Sequence, residues 1–408
     1  MATIAVLGTM DTKGEEHAFV AELIRARGHQ TLIVDVGTLD VPKLRPDVAR
    51  DEVARAGGAD LAVLTARRDR GECVAAMSRG APAILLHLLN ERKIDGVISL
   101  GGGGGTAIAT AAMRALPIGF PKLMVSTLAS GNTSQYVGVK DIVMMPSIVD
   151  VAGINRISRQ ILTRAAGAIC GMVESVPKAA ETNSAGADKP VIVASQFGNT
   201  TDCVNQARAI LEREGFEVLV FHATGTGGRT MESLIEAGLV TGVLDITTTE
   251  WADELVGGIL NAGPTRLDAA AQHGVPAIVT PGCLDMVNFG PPETVPPKFK
   301  GRCFYQHNPQ VTLMRTTPEE CRRLGEIIAE KLNASTAPVT VLIPLKGISV
   351  ISAAGQPFHD PEADRALFDT LKLKLRKDIP VRELDCNIND PAFSEACVHE
   401  LLKNLAVK

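Results

Sequence analysis

The residues best suited to chemistry in this chain sit in short loops behind apolar runs. The run GVISL is followed by Gly101, Gly102, Gly103, Gly104, Gly105 and Thr106. Each glycine inside a helix or strand costs about 0.5–1 kcal/mol relative to alanine, so five in succession need a reason. Bare backbone lets amide N–H groups approach an anion, and phosphate is the usual one. Upstream, TIAVLG runs into Thr9, Asp11, Thr12 and Lys13. A lysine in a helix-opening loop can pair with phosphate, and an aspartate beside it can hold Mg²⁺ through water. Thr12 and Glu15 also fit a capping box, which accounts for both without a ligand. Downstream, KLMVST leads to Ser130, Gly131, Asn132 and Thr133, small polar groups that cap a helix or wall a phosphate pocket.

The glycine run is not a P-loop, because GxxxxGK[ST] occurs nowhere. Gly102, Gly104 and Ala107 fit the dinucleotide pattern GxGxxA, a weak signal when it stands alone. The run also resembles the GGDGT loop of NAD kinase and phosphofructokinase-like enzymes, with Gly104 where those have the acid. In the second half, SQFGNTTD, HATGTGGRTME, DITTTE and PGCLDMVNFG occupy the corresponding positions. TGTGGRT is a second glycine-rich loop with an arginine, suited to an anion. Cys283 reads either as a nucleophile or as a buried inert thiol. His222 and His307 read as structural before catalytic. Arg315 and Lys346, with Asp285 and Asn288, can frame a polar pocket for a carboxylate-bearing compound. Lys13, Cys283, Arg315 and Lys346 are therefore the candidate catalytic groups. HExxH, CxxC and GxSxG are all missing, which argues against a tightly held transition metal and a serine-hydrolase elbow.

These loops need a scaffold that gathers them. Short β-branched runs alternate with helical stretches along the chain, the pattern of parallel sheets covered on both faces. Two Rossmann-like α/β domains are expected, at residues 1–178 and 191–408, joined by a linker at 179–190 inside PKAAETNSAGADKP. The opening of the second half parallels that of the first, Gly8 matching Gly198 and Gly28 matching Gly215. Duplication or common α/β geometry would each produce that likeness. LAVL, at 61–64, is expected as a strand. Thr317-Pro318-Glu319-Glu320, Asp360-Pro361 and Asp390-Pro391 mark helix starts.

With 408 residues, a formal net charge of −5, 3% aromatic residues and no dense Lys/Arg run, the chain is a poor nucleic-acid binder. No apolar run approaches the roughly 20 residues that span a bilayer. Eight cysteines without a CxxC pair, and a first strand that starts at residue 3, lead to the expectation of a soluble cytoplasmic protein without a signal peptide.

The ordered series GTMDTKGEE, LGGGGGT, SGNTSQ, FGNTT, TGTGGRTME, DITTTEWADEL, HNPQVTLMRTT and INDPAF resembles one poorly characterised bacterial and plant family. It shares its architecture with the N-terminal part of the tomato mosaic virus resistance protein, usually called an ATP-binding domain. The resemblance covers essentially the whole chain. It implies two Rossmann-like domains, homodimerisation, and ATP with Mg²⁺ in the first domain; it supplies no reaction. Three functions are expected to compete. The first is an ATP/Mg²⁺ protein acting on or sensing a small polar metabolite. The second is a non-catalytic, nucleotide-responsive dimer. The third is an ATP-independent enzyme with its site in the second domain.

Overall fold

A computed structural model describes residues 1–176 and 189–407. The expected linker at 179–190 lies outside the described residues apart from its last two. The chain divides into two compact units, Met1–Gly186 and Ala187–Lys408, each considered by itself.

In the first unit, continuous apolar runs form β1 (Thr3–Gly8), β2 (Gln30–Asp35), β3 (Gly96–Gly101), β4 (Lys122–Ser126) and β5 (Val143–Pro146). All pair parallel, in the order β2-β1-β3-β4-β5. Alternate residues point to opposite faces. Ala5, Leu7, Val97 and Met124 pack on one side with Met77, Leu85 and Met113. Ile4, Val6, Ile98 and Val125 pack on the other with Val20, Ile24, Leu162 and Ile169. Helices therefore cover both faces.

The second unit repeats the plan with β6 (Val191–Gln196), β7 (Glu217–His222), β8 (Gly242–Thr247), β9 (Ala277–Gly282), β10 (Met286–Phe289), β11 (Phe304–Asn308), β12 (Val311–Arg315), β13 (Val339–Pro344) and β14 (Val381–Leu384). Its parallel sheet runs β14-β13-β9-β8-β6-β7. Apart from the extra edge strand β14, this is the strand order of the first unit. The likeness reaches the turns, since Gly28 (φ 84°) and Gly215 (φ 92°) both adopt the left-handed conformation that ends the first helix of each unit. Both units are Rossmann-like, each a parallel sheet between helical layers.

Two sequence expectations change. LAVL is the start of a helix, Leu61–Arg67, because Asp60 caps it by accepting from Ala62 N–H at 2.8 Å and only Leu64 is buried. The glycine run therefore follows the third strand of the unit. The second unit also carries a small antiparallel sheet, β10-β12-β11, that sequence patterning did not reveal. The caps at Thr317 and Asp360 form as read, Thr317 with its reciprocal Glu320 bond. Asp390 does not cap its helix and instead accepts from Asn387 N–H at 2.8 Å.

Candidate functional site

The strand order of the first unit has a switch point. From β1 the chain moves to β2 on one side, and β3 returns on the other. Ligands of open α/β sheets bind outside the carboxyl ends of strands at such a point. A cleft of about 550 Å³ opens there, within the usual range for small-molecule sites. All five strand ends reach it: Thr9, Asp11, Thr12 and Lys13 after β1, Thr38 and Leu39 after β2, and Gly101–Gly105 from β3 onward. Thr127 follows β4 and Asp150 follows β5. Arg70, Cys73 and Val74 complete the wall from the helix Arg70–Asn90.

The glycines divide into two kinds. A Cβ on Gly101 would press on Gly105 Cα at 3.1 Å, and one on Gly104 would meet Val74 at 3.3 Å. A Cβ on Gly103 would meet nothing within 4 Å, and at Gly102 and Gly105 only ordinary contacts at 3.7 and 3.8 Å. None of the five has positive φ. Packing and backbone conformation therefore do not require glycine at 102, 103 and 105. The helix Gly103–Ala115 starts in this run, and the first amides of a helix have no acceptor within it. Those of Gly103, Gly104 and Gly105 donate to no other protein group among the described residues.

Other expected residues have occupations of their own. Thr106 is buried, its hydroxyl hydrogen-bonded to Ser126 Oγ at 2.6 Å, so it supports the loop from below. Thr12 does not cap Glu15; its hydroxyl meets Thr9 Oγ1 at 2.8 Å, and the helix already starts at Met10. Asp11 accepts from Leu39 N–H and from its neighbour Thr12 N–H, with Arg50 at 3.9 Å, so its carboxylate fastens the loop after β2. Lys13 has non-helical backbone angles, and its ammonium donates to the Val151 carbonyl. Ser130 lines an adjoining hollow of about 300 Å³ that shares Thr127 and Asp150 with the cleft. Gly131, Asn132 and Thr133 line neither; Asn132 caps locally, accepting from Ser134 N–H at 3.0 Å.

Sequence reasoning missed Arg70, Thr38, Leu39 and Asp150. It also missed Asp35 at the end of β2, where dinucleotide-binding folds place the acid that reads a ribose. Asp35 is buried, accepts from Met10 N–H at 3.0 Å and Gly37 N–H at 2.8 Å, and burial pushes its carboxyl above the usual range. It is a strut between strand exits.

In the second unit the expected anion loop already holds an anion. Gly225 and Gly228 N–H groups donate to Glu250 Oε1 at 2.7 and 3.1 Å. Glu250 in turn accepts from buried Arg266, which also pairs with Asp245 through two bonds of 2.6 Å and with Glu232 at 3.0 Å. Arg229 lies outside, near Thr226.

The candidate catalytic groups of this unit do not meet. Arg315 is buried and spent on Asp364 at 2.5 Å, the Phe358 carbonyl and Thr316. Lys346 is exposed and paired with Asp385 at 2.9 Å. Asn288 serves Asp253 through two hydrogen bonds. Cys283 is fully buried, at φ 59°, and burial pushes its thiol well up. A thiol reagent is therefore expected to modify exposed Cys303 in the native protein and to reach Cys283 only on unfolding, as peptide mapping after timed labelling would show. Prompt native labelling of Cys283 contradicts this assignment.

Burial also raises Asp253 to about 7 and Asp285 to about 6. A carboxyl with a raised folded pKa gives stability that is present below the unfolded value near 4. That stability is lost as pH rises through 6 and 7. At about 1.4 kcal/mol per unit, unfolding of the second unit should become easier by a few kcal/mol between pH 5 and pH 8. Trp251, the single tryptophan, is buried in this unit and reports on it by fluorescence. A stability that is level or rising over that range contradicts the assignment.

Fold and cleft define a tandem pair of doubly wound α/β units with a glycine-floored cleft at the switch point of the first. The chain belongs to the uncharacterised protein family UPF0261, whose N-terminal domain matches residues 2–178 and whose C-terminal domain matches residues 189–405. It is 52% identical over 400 residues to a UPF0261 protein of Clostridium tetani, covering 98% of each chain. It is 39% identical over 414 residues to the ToMV resistance protein Tm-1(GCR237) of Solanum lycopersicum, covering 97% of this chain and 55% of the tomato protein. Among solved structures, UDP-N-acetylglucosamine 2-epimerase from Rickettsia bellii aligns at 11% identity with a TM-score of 0.23. That alignment covers 68% of this chain and 78% of the other, too weak a likeness to bear on chemistry. Among the described residues, no helix is long and apolar enough to cross a membrane.

Proposed function

We propose that the first unit binds ATP with Mg²⁺ in the switch-point cleft, and that the protein acts on or senses a small polar metabolite bearing carboxylate or phosphate. The observation that carries this reading is the run Gly102, Gly103 and Gly105, where neither packing nor backbone angle requires glycine, beside three amides without acceptors. Oxygen atoms of a phosphate chain would complete those amides. Val36, Leu39, Val74 and Ile108 give the same cleft an apolar flank for a base.

The residues present fit the cation as well. Asp150 lines the cleft with an exposed carboxylate that has no hydrogen-bond or ion-pair partner among the described residues. Mg²⁺ is commonly held by one or two carboxylates together with substrate phosphates, so Asp150 would hold it in preference to the engaged Asp11. Bound there, the cation would neutralise phosphate charge.

Isothermal titration with ATP, with and without Mg²⁺, tests the reading. Saturable heat that strengthens with Mg²⁺ is expected; no heat at millimolar ATP overturns it. A non-catalytic, nucleotide-responsive homodimer is the second reading. It is favoured because Asp11 and Lys13 are both occupied by backbone groups, leaving no paired acid and base in the cleft. It predicts binding without turnover of ATP across a metabolite panel. Homodimerisation comes with the family resemblance, and light scattering tests it; a cytoplasmic setting is read from eight cysteines without a CxxC pair.

A further inference from the structure

We infer that Arg70 is the residue that makes the cleft selective for ligands with two or three phosphates over those with one. The inference rests on the phosphate-binding reading of this cleft and adds to it a charge specificity. The five-glycine floor offers amides but no cation, and the lysine of a P-loop is missing. Lys13, the other cation lining the cleft, donates to the Val151 carbonyl. Arg70 comes from across the cleft. Its Nη2 and Nε lie 3.7 and 4.0 Å from where a Cβ on Gly104 would stand, so the fork of the guanidinium faces the first turn of the glycine helix.

Arg70 is also free to take a ligand. It has no carboxylate or carbonyl partner among the described residues, whereas its neighbour Arg67 is held by Glu72 at 3.2 Å. Asp69 is occupied in capping the helix, accepting from Glu72 N–H at 2.8 Å. An anion that accepts from the amides of Gly104 and Gly105 would thus lie within reach of a planar donor pair suited to phosphate oxygens. A single phosphate can satisfy the amides alone. A longer chain leaves further charge over the loop, and Arg70 is the unpaired cation there.

Titration of ATP, ADP and AMP into wild-type protein, Arg70→Ala and Arg70→Lys reads this directly. Removing a charge-assisted donor pair should weaken ATP by about ten- to a hundredfold. AMP should change by less than about twofold, so that the preference for ATP over AMP collapses. Arg70→Lys should keep part of it, since charge survives and the fork does not. Arg70 is exposed, so the unfolding midpoint of each variant should match the wild type and exclude a folding defect. If Arg70→Ala keeps the wild-type ratio of ATP to AMP affinity, the inference is overturned while the binding reading stands. If wild-type protein binds none of the three nucleotides, both fall.

Discussion

Replacing Arg266 with methionine should destabilise the second unit severely. The guanidinium is buried among Asp245, Glu250 and Glu232, and burial alone already raises Glu232. Removing one partner of a buried ion pair costs about 3–5 kcal/mol, because the other charge is left without compensation. Here one cation serves three carboxylates. Stabilities of whole domains are only about 5–15 kcal/mol, so the loss approaches the total. Methionine fills much of the volume, which isolates the electrostatic effect from a cavity. Trp251 makes the measurement local, since its indole N–H donates to the Arg266 carbonyl at 3.2 Å. Urea unfolding followed by its fluorescence should show the midpoint fall sharply at pH 7.5.

The sign of the pH dependence is a second test. Without Arg266, Glu232 keeps the burial that raises its carboxyl and loses the cation that opposes it. A neutral Glu232 supports the fold at low pH, and that support is lost as pH rises. The deficit of the variant against wild type should therefore shrink on going from pH 7.5 to pH 5. A shift below about 1 kcal/mol, or one unchanged by pH, would show that the network is not electrostatically coupled. Arg266→Lys should fall close to methionine, because an ammonium cannot reproduce the paired bonds to Asp245.

Why the sequence revealed the fold more readily than this network follows from the length scale of each signal. Runs such as TIAVLG and GVISLG are buried at nearly every position, and continuous apolar strands between helical stretches specify a parallel sheet locally. LAVL misled because four apolar residues do not distinguish strand from helix, and the deciding feature was the cap from Asp60. β10 and β12 escaped because MVNF and VTLMR are short, and their pairing is set across more than twenty residues of intervening chain. Arg266 stands in GPTRLDA, which carries no motif; only its burial beside Asp245 shows its task. The TGTGGRT loop was read as suited to an anion with its arginine, yet its amides hold Glu250 of the same chain and Arg229 lies outside, contacts no local pattern encodes. In the cleft, the loops after β1 and β3 were legible because they follow strand ends. Arg70 was not, since its approach depends on how the helix it opens packs across the sheet.

The glycine run supports the sharpest separation between folding and binding. Gly103→Val should leave the unfolding midpoint of the first unit within about 2 °C of wild type, because a Cβ there meets nothing within 4 Å and φ is not positive. Replacing glycine at a compatible position even favours folding slightly, by about 0.4–1 kcal/mol for alanine. Phosphate binding should respond in the opposite way. A branched side chain at this turn would crowd an anion held by its free amides, and losing two hydrogen bonds to a charged ligand, each worth about 1.5–3 kcal/mol, weakens binding by about a hundredfold or more. Gly80→Val supplies the contrast. Its Cβ would run into the Val53 carbonyl, where the helix Arg70–Asn90 lies against the helix Arg50–Ala56, so it should destabilise the unit outright. Thermal unfolding and ATP titration on both variants decide the matter. If Gly103→Val binds as wild type does, the bare backbone serves the fold in some other way, and the cleft loses the observation on which its function rests.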